Sequence, residues 1–277
     1  MMTEPAESLY RRTRTDGAAE FFLPTSPEAV GSPWGPIQHG GPIGALLARA
    51  IDNCEPTADT RISRITIEIL GPVPPAEVRV TARVRRPGRR IALLEATLEA
   101  QSDDGAWRPC ALASAWRLST QPTDDVARHA DRVRTLPTAD DPRLEEFTTP
   151  GAWSSGGFIG NIDWRIESFG GRAGEPTMAW TDLRAGLVEG EPPTELERLV
   201  AVADSANGVG ARLDPARFAF LNTETTVHLY EPPLGPWYGI EAESSIGGDG
   251  VGMSHAVLHS AAHPIGKVVQ SLLVQRL

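Results

Sequence analysis

An internal duplication limits the possible folds of this 277-residue chain more than any other feature. Residues 66–72 read TIEILGP and residues 226–232 read TVHLYEP, a similar pattern repeated at an offset of 160 residues. The order of predicted elements also recurs, with opening strand residues, one helix and then four strands in each half. A period this long indicates a duplicated domain and not a solenoid. We therefore predict two similar units, residues 1–120 and 151–277, joined by an exposed connector at 121–150.

The strand-like runs of the first half predict an antiparallel sheet. Apolar and polar residues alternate in four runs after the helix, with Pro-Gly and Asp-Asp-Gly turn sequences between them: residues 65–69, 78–84, 92–98 and 111–115. Period-two alternation between short turns is typical of antiparallel strands with one buried face. Together with an opening strand at residues 18–23 and one helix, these runs place each unit in the α+β class.

The helix of the first half begins after the sequence His39-Gly40-Gly41-Pro42, and Pro42 suits a first turn. Apolar side chains then follow the spacing of one helical face, and the other positions are largely Gly and Ala: Ile43, Leu46, Leu47, Ala50 and Ile51. Such a helix is enclosed by other structure. The glycine pair leaves backbone N–H groups at the positive end of the helix dipole, which favours a carbonyl oxygen that gains negative charge. The alternative is a glycine turn that only leads into a core helix.

The composition indicates a globular protein without a nucleic-acid partner. Hydrophobic residues make up 40% and charged residues 22% of the chain, and the net charge of -10 leaves no basic stripe to neutralise phosphates. Cys54 and Cys110 match no metal-ligand spacing and are interpreted as free thiols. No apolar N-terminal segment resembles a signal peptide, and no run of about 18 apolar residues occurs. We therefore expect a cytoplasmic protein that does not insert into membranes.

A glycine-rich loop that opens a buried helix, followed by a four-strand meander and repeated once, resembles the double hotdog fold of acyl-CoA thioesterases. The likeness is greatest to the bacterial acyl-CoA thioesterase II family. In that family an Asp on the second helix, a Thr on the following strand and a Gln on the last strand hold the hydrolytic water. The resemblance implies that Asp204, Thr223 and Gln270 are the catalytic residues here.

The loop His39-Gly40-Gly41 resembles the motif that opens the central helix of single-hotdog thioesterases, where a glycine N–H polarises the thioester carbonyl. The resemblance therefore implies substrate-binding and oxyanion roles for these three residues. It implies hydrolysis of acyl-CoA or a related acyl thioester by an activated water, without a cofactor, within fatty acid metabolism. Hotdog sheets often join through edges and helices, so a homo-oligomer is also compatible with the sequence.

The residues themselves favour a buried polar cluster. Asp204 lies in an apolar helical run, residues 199–206, where an unpaired carboxylate would be costly to bury. Thr223 and Gln270 each alternate in phase with apolar neighbours on a predicted strand, which directs both side chains inward. Thr225 shares that inward face, so the choice between the two threonines depends on the resemblance. The alternative is that these groups only satisfy each other and the backbone.

Other functions compete with thioester hydrolysis. A hotdog hydratase or dehydratase would need an Asp and a His close together on the loop and helix, and no Gly-Asp-x-Asn-Pro-x-His sequence occurs. A non-catalytic acyl-thioester-binding protein would need the apolar tunnel and not the water. His255, His259 and His263 suggest a metal, but the strand offers no clear carboxylate or cysteine partner, so we expect no metal site.

The two halves differ at the positions that matter for this chemistry. The first helix opens with glycines, whereas the second opens with Pro192-Pro193-Thr194-Glu195, a capping signal without a glycine pair. The first helix also has no acid at the position that matches Asp204. By the offset of 160 residues Thr223 corresponds to Ser63, and the last strand of the first half offers Ala111 or Ala113 where the second half has Gln270. We therefore predict one active site per chain, with apolar side chains at the mirror-related position.

Overall fold

Each half of the chain wraps antiparallel strands around a central helix. The computed structural model describes residues 6–145, 156–170 and 172–277. The first half contains β1 (Ser8–Asp16), β2 (Ala19–Pro24), β3 (Gly31–Ser32), β4 (Gly35–Gln38), α1 (Gly40–Asn53), β5 (Thr60–Ile69), β6 (Val78–Arg86), β7 (Ile91–Gln101) and β8 (Trp107–Ser119). The second half contains β9 (Ile162–Ser168), β10 (Thr177–Leu183), β11 (Gly186–Val188), α2 (Glu195–Ala203), α3 (Ala206–Val209), β12 (Phe218–Asn222), β13 (Glu224–Leu229), β14 (Trp237–Ile246), β15 (Val251–His259) and β16 (Pro264–Arg276).

The two halves share one sheet. Within the described residues its strand order is β11-β1-β2-β6-β7-β8-β5-β13-β16-β15-β14-β10-β9, and β12 also pairs with β16. At the junction β5 pairs antiparallel with β13, and Thr66 lies directly opposite Thr226. These two threonines are equivalent in the repeat, so the pseudo-twofold axis of the duplication passes between them. At the far edge β1 of the first half pairs in parallel with β11 of the second.

Helix α1 lies in the core, as its apolar sequence predicts. Its first turn contains Gly40, Gly41 and Pro42, and His39 is the N-cap residue. Glycine is required at position 41, because a Cβ there would lie 2.4 Å from the backbone oxygen of Ala201 on α2. The glycine pair therefore belongs to the helix itself and allows α1 and α2 to approach closely.

Helix α2 begins with the capping signal that the sequence predicts. The Glu197 N–H donates to Thr194 Oγ1 (3.2 Å), and the Thr194 N–H donates to Glu197 Oε2 (3.1 Å). The helix ends at Ala203 and α3 begins only at Ala206. Asp204 therefore lies at a break between two helices, and not inside one continuous helix as its apolar surroundings suggest.

The Glu197 carboxyl makes stability depend on pH. Burial raises its pKa to about 7, and the capping N–H of Thr194 and the charge of Arg49 oppose that rise. The folded state then binds the proton more tightly than the unfolded chain does, so this group lowers stability as pH rises from about 4.5 to 7. Glu197→Gln keeps an acceptor for the cap and cannot ionise. We expect the variant to be more stable than the wild type by about 1–2 kcal/mol at pH 8. Near pH 5 urea unfolding should give almost equal values, and an equal gain at both pH values would contradict this origin.

The sequence patterns did not predict β1 or the short β3–β4 hairpin. In β1 only the first three residues are buried, and the remainder is exposed and largely charged, so no alternation marks the strand. The predicted unit boundaries stay predictions, and residues 1–5, 146–155 and 171 lie outside the described residues. Residues 121–145 run along the second half, where Arg165 Nη1 donates to the Pro137 oxygen (2.6 Å).

Candidate active site

A cavity of about 610 Å³ receives residues from both halves. Most of its wall is apolar: Trp34, Ile37, Ile43, Ile69, Trp164, Phe169, Phe220 and Leu221 are among the residues that form it. One region of the wall is polar and lies where α1 begins and α2 ends: His39, Gly40, Asp204, Ser205, Asn222 and Thr223. A mainly apolar cavity with a few convergent polar groups is typical of a small-molecule site.

The first turn of α1 leaves one backbone donor unused at this polar region. The Gly41 N–H donates to the ring Nδ1 of His39 (3.1 Å), and Pro42 has no N–H to offer. The Gly40 N–H has no acceptor among the described residues, and Gly40 lines the cavity. Of the two glycines predicted to bind a thioester oxygen, Gly40 therefore has the available donor.

The Asp204 carboxylate lies beside Gly40 and is held by a polar network. Its Oδ1 accepts hydrogen bonds from Asn222 Nδ2 and from Thr225 Oγ1, both at 2.9 Å. Gln270 Nε2 donates to the Asp204 backbone oxygen and to Thr225 Oγ1, both at 3.0 Å. Asp204 Oδ2 lies 3.3 Å from His39 Nδ1. The expected contact between an acid on the second helix and a glutamine on the last strand is thus present.

His39 is a neutral imidazole in this arrangement. Burial lowers its pKa, and the negative charge of Asp204 only partly opposes that effect. A ring whose Nδ1 accepts the Gly41 N–H carries its proton on Nε2. His39 therefore caps α1 and lies against Phe158, with ring centroids 5.0 Å apart, as part of the cavity wall.

The structure corrects the choice between the two threonines. Thr223 is exposed at the edge of the cavity, and its Oγ1 donates to the Ser271 oxygen at 3.4 Å. Thr225 is buried and contacts both Asp204 and Gln270. Thr223 therefore does not point inward as its phase predicts, and Thr225 completes the network.

A bulge between β12 and β13 explains this error. On β16, Leu272 lies opposite Asn222, and Val269 lies opposite Thr226. From Asn222 to Thr226 the chain advances by four residues, whereas β16 advances by three. One residue near Thr223 is therefore extra, and it reverses which side chains point inward. A sequence pattern alone does not contain this shift, because the partner strand determines it.

The network has a buried part and a part that faces the cavity. Thr225 and Gln270 are almost fully buried and do not line the cavity, whereas Asp204, Asn222 and His39 do. Thr225 and Gln270 thus support Asp204 from behind. No sequence pattern predicts Asn222 as a site residue. Its only distinguishing feature in the sequence is its position directly before Thr223 on a predicted strand.

We expect Thr225→Val to reduce turnover by about tenfold and to destabilise the protein by about 1–3 kcal/mol. The change removes one donor to Asp204 and one of the two acceptors of the buried Gln270 amide, which keeps only the Asp204 backbone oxygen. Thr223→Val is the matched control, and its effect on turnover should stay below about threefold, since the Thr223 hydroxyl touches no member of the network. Steady-state kinetics and urea unfolding of both variants test the assignment, and a larger effect at Thr223 would reverse it.

The mirror-related position is apolar. The pseudo-twofold axis relates Thr225 to Ile65 and Gln270 to Ala115, and both first-half residues are fully buried. The capping box of α2 engages the N–H groups of Thr194 and Glu197, and the helix begins without a glycine.

The strand pairing corrects the predicted partner of Gln270, which is Ala115 and not Ala111 or Ala113. The predicted partner of Thr223 is consistent with the structure, because Ser63 lies at a similar register shift and its Oγ donates to the Trp116 oxygen as Thr223 Oγ1 does to the Ser271 oxygen.

The three histidines near the C-terminus do not converge. His259 is buried with its Nε2 3.4 Å from Glu241 Oε2, and the His263 ring stacks on His129. Over residues 6–145, 156–170 and 172–277, no cluster of three or more His, Cys, Asp or Glu side chains is placed to hold a metal ion. In the same part of the chain no helix has the length and apolar character needed to cross a membrane.

Solved structures with the same arrangement come from several bacteria. A hot dog protein of unknown function from Alicyclobacillus acidocaldarius shares 14% identity over 95% of each chain, with a TM-score of 0.73. The tesB protein of Mycobacterium avium subsp. paratuberculosis shares 13% identity over 95% of each chain, with a TM-score of 0.64. The acyl-CoA thioesterase II TesB2 of Mycobacterium marinum shares 13% identity over 97% of this chain and 95% of its own, with a TM-score of 0.62. These matches confirm the predicted double hotdog fold.

Family models match both halves of the chain. The model described as the acyl-CoA thioesterase N-terminal domain matches residues 30–118, and the model described as the C-terminal domain matches residues 137–274. No curated protein matches the chain significantly. The sequence resemblance is confirmed, and the chain belongs to the acyl-CoA thioesterase family.

Proposed function

We propose that this protein hydrolyses acyl-CoA, or a related acyl thioester, to a free acid and a free thiol. The observation that carries the proposal is the position of the Asp204 carboxylate, which lies in the wall of an apolar cavity beside the unused N–H of Gly40. A base and an oxyanion donor side by side are what water attack on an activated acyl group requires. Membership of the family supports the same reaction class.

The proposed reaction needs no covalent intermediate with the protein. Asp204 accepts a proton from water as the water oxygen attacks the carbonyl carbon, and the Gly40 N–H stabilises the negative oxygen that forms. The carbon–sulfur bond then breaks, and the thiolate recovers the proton from Asp204. Thr225 and Gln270 keep the carboxylate in position from behind, instead of contacting the water themselves.

The wall of the cavity favours a hydrocarbon acyl group. Aromatic and branched side chains form most of it, among them Trp34, Trp164 and Phe220. Polar groups on an acyl chain would lose their water there and gain few partners. We place the reaction in fatty acid metabolism in the cytoplasm, with CoA as the carrier of the acyl group.

Hydration or dehydration of an enoyl thioester is the second candidate. The contact between His39 Nδ1 and Asp204 Oδ2 at 3.3 Å favours it, because an Asp and a His close together are what such an enzyme would need. Hydrolysis is favoured over it on physical grounds. Addition across a carbon–carbon double bond needs a second group that exchanges a proton, and the His39 Nδ1 beside Asp204 is already occupied by the Gly41 N–H.

A panel of acyl-CoAs tests these functions directly. Free thiol release should be detected with saturated acyl-CoAs and should depend on Asp204. Loss of enoyl absorbance without thiol release would establish the hydratase instead. Saturable binding with neither reaction would establish an acyl-thioester-binding protein.

We expect one productive binding site per chain. The mirror-related position offers Ile65 and Ala115 in place of polar side chains, so a second thioester would find no supported base there. Titration with a non-hydrolysable acyl-CoA analogue, followed by calorimetry, should give a stoichiometry of about 1. Two equal sites would show that the duplication has kept both.

A further inference from the structure

Asn222 contacts the Asp204 carboxylate, but the mechanism proposed above gives it no role. Asn222 lies at the end of β12, directly before the bulge, and its side chain lines the cavity. Its Nδ2 lies 2.9 Å from Asp204 Oδ1 and 3.0 Å from Thr225 Oγ1. A carboxylate only accepts hydrogen bonds, so the amide nitrogen and not the amide oxygen must face Asp204.

The other end of this amide is available. Asn222 Oδ1 has no hydrogen-bond partner among the described residues, and it is not one of their buried unpartnered atoms. The Thr225 hydroxyl is already saturated, because it donates to Asp204 and accepts from Asn222 and Gln270. Among the described side chains that contact the Asp204 carboxylate, only those of Asn222 and His39 belong to residues that line the cavity.

A water that attacks a thioester needs an acceptor for each of its two protons. One proton leaves to the base, and a hydrogen bond from the other must hold the oxygen so that its lone pair points at the carbonyl carbon. Asp204 can accept the first proton. Thr225 and Gln270 are buried on the side of Asp204 that faces away from the cavity, so neither can accept a hydrogen bond from the second proton of the water.

We propose that Asn222 is a catalytic residue of the hydrolysis: its Nδ2 fixes the Asp204 carboxylate, and its Oδ1 accepts the second hydrogen bond of the attacking water. This inference rests on the proposed function. No other described side chain around Asp204 could both donate to the carboxylate and accept a hydrogen bond from the water.

Two variants of Asn222 separate this role from a structural one. Asn222→Ala removes both contacts, so kcat should fall about 10- to 100-fold while KM changes by less than about threefold. Gln275→Ala is the control, since Gln275 is an exposed amide on the same β12–β16 ladder, and it should match the wild type.

Asn222→Asp gives a signature that loss of packing cannot produce. At low pH the protonated carboxyl of the variant still donates to Asp204 Oδ1 and still offers an oxygen to the water. At high pH two negative charges face each other, so turnover should fall as pH rises, and loss of packing alone gives no such dependence. Wild-type profiles and kcat within about threefold for both variants would overturn the proposal and leave the thioesterase function standing.

The same assays keep the two questions apart. If the wild type releases no thiol from any thioester, the proposed function itself fails. Thiol release by the wild type with an unchanged kcat in both variants overturns only the role of Asn222.

Discussion

Asp204→Asn is expected to reduce turnover by about 100-fold or more while the protein keeps its fold, a loss of the size that removal of a general base produces. The amide oxygen can still accept from Thr225 and Asn222, so the network around it stays satisfied. Circular dichroism, urea unfolding and the binding of an acyl-CoA analogue should all resemble the wild type. Only the proton-accepting oxygen has been removed.

Asp52→Asn is the matched control for this experiment. Asp52 is a carboxylate on α1 whose pKa is raised by burial, but it does not line the cavity. Its replacement should leave kcat and KM close to the wild-type values. Full activity in a folded Asp204→Asn protein would remove Asp204 from the mechanism.

The two glycines at the start of α1 are expected to fail in different ways. In Gly40→Ala the new Cβ would lie 2.6 Å from Asp204 Oδ2 and 2.8 Å from Oδ1, so the carboxylate must move. We expect a loss of about 100-fold in turnover with little loss of stability, since a misplacement of about 1 Å at a reacting group can cost that much. In Gly41→Ala the Cβ would meet the backbone oxygen of Ala201 at 2.4 Å. Backbone cannot yield as a side chain does, so we expect destabilisation by about 2 kcal/mol or more.

Gly44→Ala shows whether these effects are specific. Its Cβ would meet only the ends of two side chains, Ile67 Cδ1 at 3.0 Å and Val200 Cγ1 at 3.2 Å. Alanine also favours a helix interior over glycine by up to about 1 kcal/mol. We expect near wild-type turnover and a small change in the urea midpoint. Equal losses at positions 40 and 44 would mean that Gly40 matters for packing and not for the position of Asp204.

The sheet could be predicted from sequence because most of its strands bury alternate side chains. In β6 and β7, for example, Val78, Val80, Leu94, Ala96 and Leu98 are buried and alternate with more exposed residues. β1 could not be predicted, because its three buried residues are consecutive and the other six are exposed. Period-two patterns detect alternate burial, and a strand without that alternation leaves no such pattern.

Asp204 and Gln270 could be predicted because burial makes an unpaired polar group costly, and this cost shows in the sequence as a polar residue among apolar ones. The correct threonine could not be predicted, since the bulge near Thr223 depends on how β16 pairs with two strands. Asn222 was missed for the same reason. Its amide contacts the carboxylate only because the bulge reverses the alternation and places Asn222 on the same side as Thr225.

The parallel pairing of β1 with β11 also affects how the chain can fold. Ser8 lies opposite Gly186 and Tyr10 opposite Val188, so during synthesis β1 finds one of its neighbours only after the second half has begun to emerge. β5 likewise has an unpaired edge until β13 exists. Neither half can therefore complete the shared sheet alone. The protein is therefore expected to unfold as a single cooperative unit, and neither half should be stable when expressed by itself.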